Sequence, residues 1–390
     1  MKIAMFGQKG IPASFGGVET HVAELSTRLV RAGHAVFAYA RFWYTPKSIA
    51  TVNGVRVVRA LSLHTKCFDT ITHVGFSLVH ALLFVRPDVY HFHGVGPALL
   101  AWVPRLLAPR ATVVVTFHSV DRLHQKWGLL GRWALSLGER AAVAFPHQTI
   151  AVSKTIAKYV KQTYGKTVAY VPNGITPRRV AMDSIVLAPF GLEPYRFVTM
   201  VSRLVPHKHA HTLITAWKKA KALRPELFRN MKLAIVGGSA FTDDYVARLQ
   251  LLAKGDSSIV FTSYQTGETL EALFAGSRFV VHPSVAEGLP IAVLEAMSYG
   301  KAVIAADIPE NLEVMGEYGV SFARGKANDL AKKIIELIED QTQAAALGHL
   351  ARTYVEDAFN WDDIAKEVVQ LYDAKRASLR LLPQLHTTSK

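Results

Sequence analysis

The feature that most constrains this chain is a rhythm. Short β-branched runs alternate with longer helical patterns, and the whole alternation occurs twice. In the first half the strand candidates are Lys2–Phe6, Ala35–Ala40, Val55–Ala60, Val89–His93, Thr112–Phe117, Gln148–Val152 and Val168–Val171. Helical periodicity lies between several of them, at Val18–Ala32, Ile71–Phe84 and Thr155–Tyr164. In the second half the strands are Arg196–Val201, Leu233–Val236, Ile259–Thr262, Phe279–His282, Ala302–Ala305 and Val320–Ala323, separated by helices such as His211–Ala222 and Asp243–Ala253. Parallel neighbours need a long crossover, so this alternation predicts an α/β fold with two parallel sheets.

A break rich in turn formers, Pro172, Asn173, Gly174, Pro177, Pro189, Gly191 and Pro194, divides the two series. The expected organisation is an N-terminal domain over residues 1–178, a linker at 179–195 and a second domain at 196–360. A C-terminal helix at 361–378 can pack back on the N-terminal domain, and the tail beyond Leu379 is expected to be loose.

Half of the 390 residues are hydrophobic and 19% are charged, a composition that fills large cores and excludes a disordered chain. One cysteine, Cys67, excludes an internal disulfide framework and any multi-cysteine metal site, and reads as a small core hydrophobe in a reducing compartment. The opening Met1–Gly7 is too short for a signal-peptide core and reads as a first strand. The longest apolar stretch, Val74–Val85, is interrupted by Ser77 and His80, so no membrane-spanning helix is expected.

The net charge of +15 is unevenly placed. Residues 1–180 hold 22 Lys and Arg against 6 Asp and Glu, whereas residues 181–390 hold 23 against 24. A basic first half draws an anionic partner: nucleic acid, an anionic membrane or a phosphorylated substrate. A merely solvated basic surface explains the count equally well.

Open parallel sheets bind ligands beyond the carboxyl ends of their strands, so the loops there are the places to look. After the first strand comes Gly10–Glu19, with adjacent Gly16 and Gly17 opening a helix whose free N–H groups suit an anion. It lacks both the dinucleotide-binding glycine spacing and a Walker lysine. After the first strand of the second half comes Val201–His209, carrying Arg203 and Lys208. Fixed cations there stabilise a leaving diphosphate as it gains charge, although solvated surface cations are an equal alternative.

The third loop, Pro283–Met297, carries Glu287 and, about two turns into the next helix, Glu295. Pro290 suits the first helical turn, and an eight-residue separation leaves an angular offset of about 80° on a helix. Carboxylates there accept hydrogen bonds from sugar hydroxyls, and Gly288 and Leu289 offer bare backbone N–H groups. The competing account is a capping Glu287 and a solvated Glu295. Glu295 stands in an apolar run, where a buried carboxylate needs a partner.

The Glu-x7-Glu element followed by Ala-Met, together with Val-Ser-Arg-Leu-Val-x-x-Lys, resembles the retaining glycosyltransferases of family four, which have the GT-B fold. Gly16-Gly17, Ala32-Gly33-His34, Val152-Ser153, Val171-Pro-Asn-Gly174, Pro283-Ser284 and Gly300-Lys-Ala-Val303 fall in the family's order, so the resemblance covers nearly the whole chain. Gly7-Gln-Lys-Gly-Ile-Pro-Ala13 and Lys126-Trp-Gly128 are similar to the bacterial polysaccharide branch, which includes rhamnosyltransferases.

The resemblance implies two Rossmann-like domains facing a central cleft. It implies a nucleotide-diphosphate sugar as donor substrate, with no cofactor; the second half carries no Asp-x-Asp pair near a strand end, which fits a metal-independent enzyme. Arg203 and Lys208 would hold the diphosphate, with Ser202 beside them where many members have glycine. Glu287 and the backbone of Gly288, Leu289 and Pro290 would bind the donor sugar, Glu295 the ribose, and Gly16 and Gly17 would line the phosphate and sugar from the other domain. His118 would stand near the reacting sugar; a capping or core histidine is the alternative.

His91 and His93 share a strand face, and His207, His209 and His211 recur every second residue. Neither set shows the carboxylate partners of a catalytic metal site, so structural or substrate-lining roles are expected.

Two rivals remain at this level: a nucleotide-sugar 2-epimerase of the same fold, and a basic nucleic-acid-binding protein. Against the latter, the cations are scattered and form no recognisable module. The expected acceptor is a saccharide or lipid-linked molecule at the cytoplasmic face of the membrane. Arg105, Arg110, Arg122, Lys126 and Arg132 surround Trp102, Leu106, Leu107, Trp127, Leu129 and Leu130, a composition that suits an interfacial surface. The alternative is that these apolar residues pack in the core.

Overall fold

Thr112 through Phe117 are all buried, as a central parallel strand covered on both faces must be. In the computed structural model, which describes residues 1–14, 16–65, 68–120, 122, 128–177 and 184–380, such strands build two sheets. Cys67, Lys126, Trp127 and the tail from 381 lie outside the described residues, as do the side chains of Leu129 and Leu130. The chain forms two units, Met1–Asn173 with Trp361–Lys390, and Gly174–Asn360.

The first unit has eight strands: β1 (Lys2–Phe6), β2 (Ala35–Arg41), β3 (Thr51–Val52), β4 (Val55–Ala60), β5 (Val89–His93), β6 (Thr112–Phe117), β7 (Gln148–Ala151) and β8 (Ala169–Tyr170). Their order is β3-β4-β2-β1-β5-β6-β7-β8. All pairs are parallel except β3 with β4, an antiparallel hairpin absent from the sequence reading. Its signal was there: Asn53 and Gly54 both take positive φ, the turn that an Asn-Gly pair favours. The helix after β4, Asp69–His80, also passes into a π-helical turn, Ala81–Val85, where plain helix was expected.

The second unit has β9 (Phe197–Val201), β10 (Lys232–Val236), β11 (Ile259–Ser263), β12 (Val280–His282), β13 (Val303–Ala306) and β14 (Val320–Phe322), in the parallel order β11-β10-β9-β12-β13-β14. Each sheet reverses direction once, between β1 and β5 in the first and between β9 and β12 in the second. At such a switch point neighbouring strands send their connections opposite ways and leave a crevice beyond their carboxyl ends.

The last helix, Trp361–Arg380, belongs to the first unit. Trp361, Ile364, Val368 and Tyr372 pack with Ile3, Met5, Leu25, Val89 and Val114. Arg28 holds its start, with Nε donating to Asp362 at 2.9 Å and the guanidinium 5.9 Å from the Trp361 ring centroid.

The opposite tendency is seen on the outside of the first unit. Trp102, Leu106, Leu107 and Trp133 are exposed, as are Phe76, Val79, Leu83 and Phe84 of the Asp69–Val85 segment. The core alternative therefore fails for Trp102, Leu106 and Leu107. Among described residues, no helix is long and apolar enough to cross a membrane.

Candidate active site

In the second unit the loops after β9 and β12 meet. These strands are hydrogen-bonded neighbours, and their loops are laced together: Val285 N–H donates to the His207 carbonyl at 3.0 Å, and Ser284 Oγ donates to the same oxygen at 3.3 Å. Buried Asn311 braces the β12 loop by donating from Nδ2 to the Ala306 and Ser284 carbonyls. The chain after Val201 runs through Ser202 and Arg203 into the 3₁₀ turn Pro206–Lys208. Ser202 fits where the resemblance has glycine, its hydroxyl donating to the Arg203 carbonyl at 3.1 Å.

Lys208 Nζ donates to Glu287 Oε1, and His282 Nε2 donates to the same oxygen from 2.7 Å. The Lys208 and Glu287 side chains are 13% and 9% exposed. Burial alone would raise the carboxyl pKa. The Lys208 ammonium and the His282 hydrogen bond outweigh it and hold Glu287 well below the usual carboxylate range. Among described residues Oε2 accepts no hydrogen bond. A fixed anionic acceptor beside a fixed cation is therefore presented at the switch point. In the sequence His282 stands only as a strand end, and its position immediately before the Pro283-Ser284 turn is the signal that marks it.

The structure corrects three details. Pro290 is not in the first helical turn but immediately precedes it, since the helix is Ile291–Ser298. Glu295 is the fifth residue of that helix, just over one turn in, and is half-buried. Glu287 is on no helix and caps nothing, so the 80° offset does not relate the two carboxylates. Gly288 and Leu289 lead into the helix start, with Leu289 buried. Arg203 is exposed, and its side chain makes no hydrogen bond or ion pair among described residues.

In the first unit the loop after β1 folds onto Glu19. This buried carboxylate accepts from Lys9 N–H at 2.9 Å and lies over Gly16, where a Cβ would sit 2.1 Å from Oε2. Gly16 has φ 105°, so glycine is required there by the loop's own architecture. Gly17 is exposed at the first helical position.

His118 follows β6 directly and meets two other histidines. Its Nε2 is 3.2 Å from His93 Nδ1, and its ring centroid is 4.8 Å from that of His21. Burial, then the neighbouring histidines, hold His118 and His93 well below the ordinary imidazole range. His21 lies on the Gly17–Arg31 helix, and nothing in its local sequence pattern marks it. His91 is structural, bonded to Tyr372 Oη and Thr116 Oγ1 at 2.7 Å each. His209 bonds Thr212 Oγ1 and His211 bonds Tyr245 Oη, so those two are also engaged locally.

Two family models match the two halves. "Glycosyltransferase Family 4" matches residues 15–179, and "Glycosyl transferases group 1" matches residues 189–374. The chain is a glycosyltransferase of the GT-B type. The glycosyltransferase is 27% identical to alpha-maltose-1-phosphate synthase of Mycobacterium tuberculosis, over 95% of this chain and 99% of that protein. Its fold is similar to that of sucrose-phosphate synthase from Thermosynechococcus elongatus, with TM-score 0.81 and 23% identity over 97% and 99% of the two chains. It is similar also to Anabaena HepE, solved in complex with UDP-glucose, with TM-score 0.77 and 19% identity over 97% and 100%.

Proposed function

We propose that this glycosyltransferase moves a hexose or deoxyhexose from a nucleotide-diphosphate sugar to a saccharide or lipid-linked acceptor, with retention and without a metal ion, in the making of cell-surface polysaccharide or glycolipid. The observation that carries the reading is the Lys208–Glu287–His282 arrangement at the switch point of the second sheet.

In this reading Lys208 and Arg203 stabilise the leaving diphosphate, whose charge grows as the bond to the sugar breaks. Glu287 uses its open Oε2 to accept from sugar hydroxyls, and its depressed pKa keeps it an acceptor. Backbone N–H groups at Gly288 and Leu289, before the helix that Pro290 introduces, add donors at a positive helix end. Glu295 takes the ribose hydroxyls. On the first unit, Gly16 and Gly17 are the proposed phosphate- and sugar-contacting residues, and His118 has the proposed role next to the reacting sugar. The departing phosphate receives the proton of the incoming hydroxyl, so the new bond forms on the face that the old one leaves.

HepE, a neighbour in fold, is described with UDP-glucose, which supports a nucleotide-sugar donor. The reading is tested with a panel of UDP-, GDP- and dTDP-sugars, with and without saccharide acceptors and with chelator. Transfer giving the donor's anomeric configuration, and persisting in chelator, is expected. Donor turned over rapidly to an epimer without acceptor would replace this reading by a 2-epimerase.

We further propose attachment to an anionic membrane surface at the cytoplasmic face. The exposed Trp102, Leu106 and Leu107 beside exposed Arg105 and Arg110 support it.

A further inference from the structure

His21, His93 and His118 come from a helix, the end of β5 and the residue after β6. A ring nitrogen of each lies within 4.8 Å of the others. Their other contacts fix where the protons are. His21 Nδ1 is 2.8 Å from Asn173 Oδ1, an acceptor, so Nδ1 carries the proton and Nε2 a lone pair. That Nε2 is buried and has no hydrogen-bond partner among the described residues, on a side chain 2% exposed. His93 Nε2 faces the Met5 thioether, also an acceptor, at 3.4 Å. Its proton is thus on Nε2, and the Nδ1 lone pair points to His118 Nε2 at 3.2 Å. Neutral imidazole, with a lone pair left on one ring nitrogen, is the form that ligates metals.

We propose that His21 Nε2, His93 Nδ1 and His118 Nε2 form a binding site for a divalent transition ion of the Zn²⁺ class, with a fourth position left to solvent. Tetrahedral Zn²⁺ with bonds of about 2.1 Å separates its ligand nitrogens by about 3.4 Å. The His93–His118 pair is close to this spacing at 3.2 Å, and His21 Nε2 lies within 4.8 Å of both. Asn173 then acts as the outer partner that fixes the His21 ring. His118 surrenders its Nε2 proton to its own Nδ1, so the ion enters a neutral site with no net proton released. His118, partly exposed, is the route in. An all-nitrogen set selects against Ca²⁺ and Mg²⁺, which take oxygen ligands. The ion has no part in the transfer proposed above; it occupies the nitrogen of His118 and competes with that role.

The test is spectroscopic and independent of turnover. Chelator-treated full-length protein is titrated with Co²⁺. Tetrahedral d–d absorption saturating at one ion per chain, and bleached by Zn²⁺, is expected. His118→Gln, at the accessible ligand, should abolish the bands with the circular dichroism spectrum unchanged. Asn173→Ala should weaken Zn²⁺ affinity about 10–100-fold. His211→Gln should change nothing. Absence of saturable Co²⁺ absorption in the wild type overturns the site. So does absorption that survives His118→Gln and disappears in His211→Gln, since the ion would then sit in the second unit.

Discussion

Lys208 Nζ and His282 Nε2 converge on one oxygen of Glu287, in a site where both the lysine and the glutamate are nearly buried. The cation and the anion are each other's partner, and both belong to the loops of the switch point. Truncating one member leaves the other charge desolvated and unpaired, which costs about 3–5 kcal/mol in well-buried pairs. Glu287→Ala is therefore expected to lower the melting temperature as well as activity. Glu287→Gln, which keeps the volume and one acceptor, should retain more stability than activity.

Lys208→Ala and Arg203→Ala should each reduce turnover about 10²–10³-fold, the usual loss when one group aimed at developing charge is removed. They should differ in stability. Arg203 is exposed and unengaged, so its variant should melt like wild type, whereas Lys208→Ala strands Glu287. Steady-state kinetics beside differential scanning calorimetry separates the effects. Near-normal turnover in both variants would remove the diphosphate assignment.

Glu295→Ala should chiefly weaken nucleotide binding, because ribose contacts exist in ground and transition states alike. Glu287→Ala should chiefly lower the rate. Isothermal calorimetry with free nucleoside diphosphate reads the difference, and equal losses of affinity would count against separate roles.

Trp361 is fully buried at the start of the last helix, against the core of the first unit. Trp361→Ala should destabilise by about 3–5 kcal/mol, the usual cost for an aromatic core residue. Urea denaturation measures it; a loss under 1 kcal/mol would mean that the helix contributes little to the fold.

Burial, then the nearby Arg41 cation, push the pKa of His73 down to about 4. The folded state resists protonation that the unfolded chain accepts near 6.5. Between those values the unfolded state binds more protons, so stability falls as pH drops from 6.5 toward 4, by up to about 1.4 kcal/mol per pH unit for this group. His73→Leu should flatten that decline in melting temperature from pH 7 to 5. An unchanged slope would remove His73 as a contributor.

Leu106→Glu combined with Leu107→Glu changes two exposed side chains and should leave stability intact. It should abolish sedimentation with anionic liposomes at low salt. Wild-type pelleting that ignores lipid charge and salt, or no wild-type pelleting at all, would end the membrane proposal.

Much of the architecture was legible along the chain, because strand and helix periodicity and turn chemistry are local. Thr112–Phe117 reads as a buried parallel strand from its β-branched run alone, and the loops after β9 and β12 could be located by position. The hairpin at Thr51–Val52 escaped because two residues carry no period. The helical offset between Glu287 and Glu295 failed because it assumed one regular element where a loop intervenes.

The sequence by itself determined the α/β class, the two series of strands and which loops stand at strand ends, since all three follow from backbone sterics and nearest-neighbour patterning. Tertiary structure alone decided the partners. Lys208 meets Glu287 across 79 residues, His21 meets Asn173 across 152, and Arg28 meets Asp362 across 334. No spacing rule spans such distances. They are set by strand order and by which crossover returns to which edge, and those depend on burying both faces of each sheet at once.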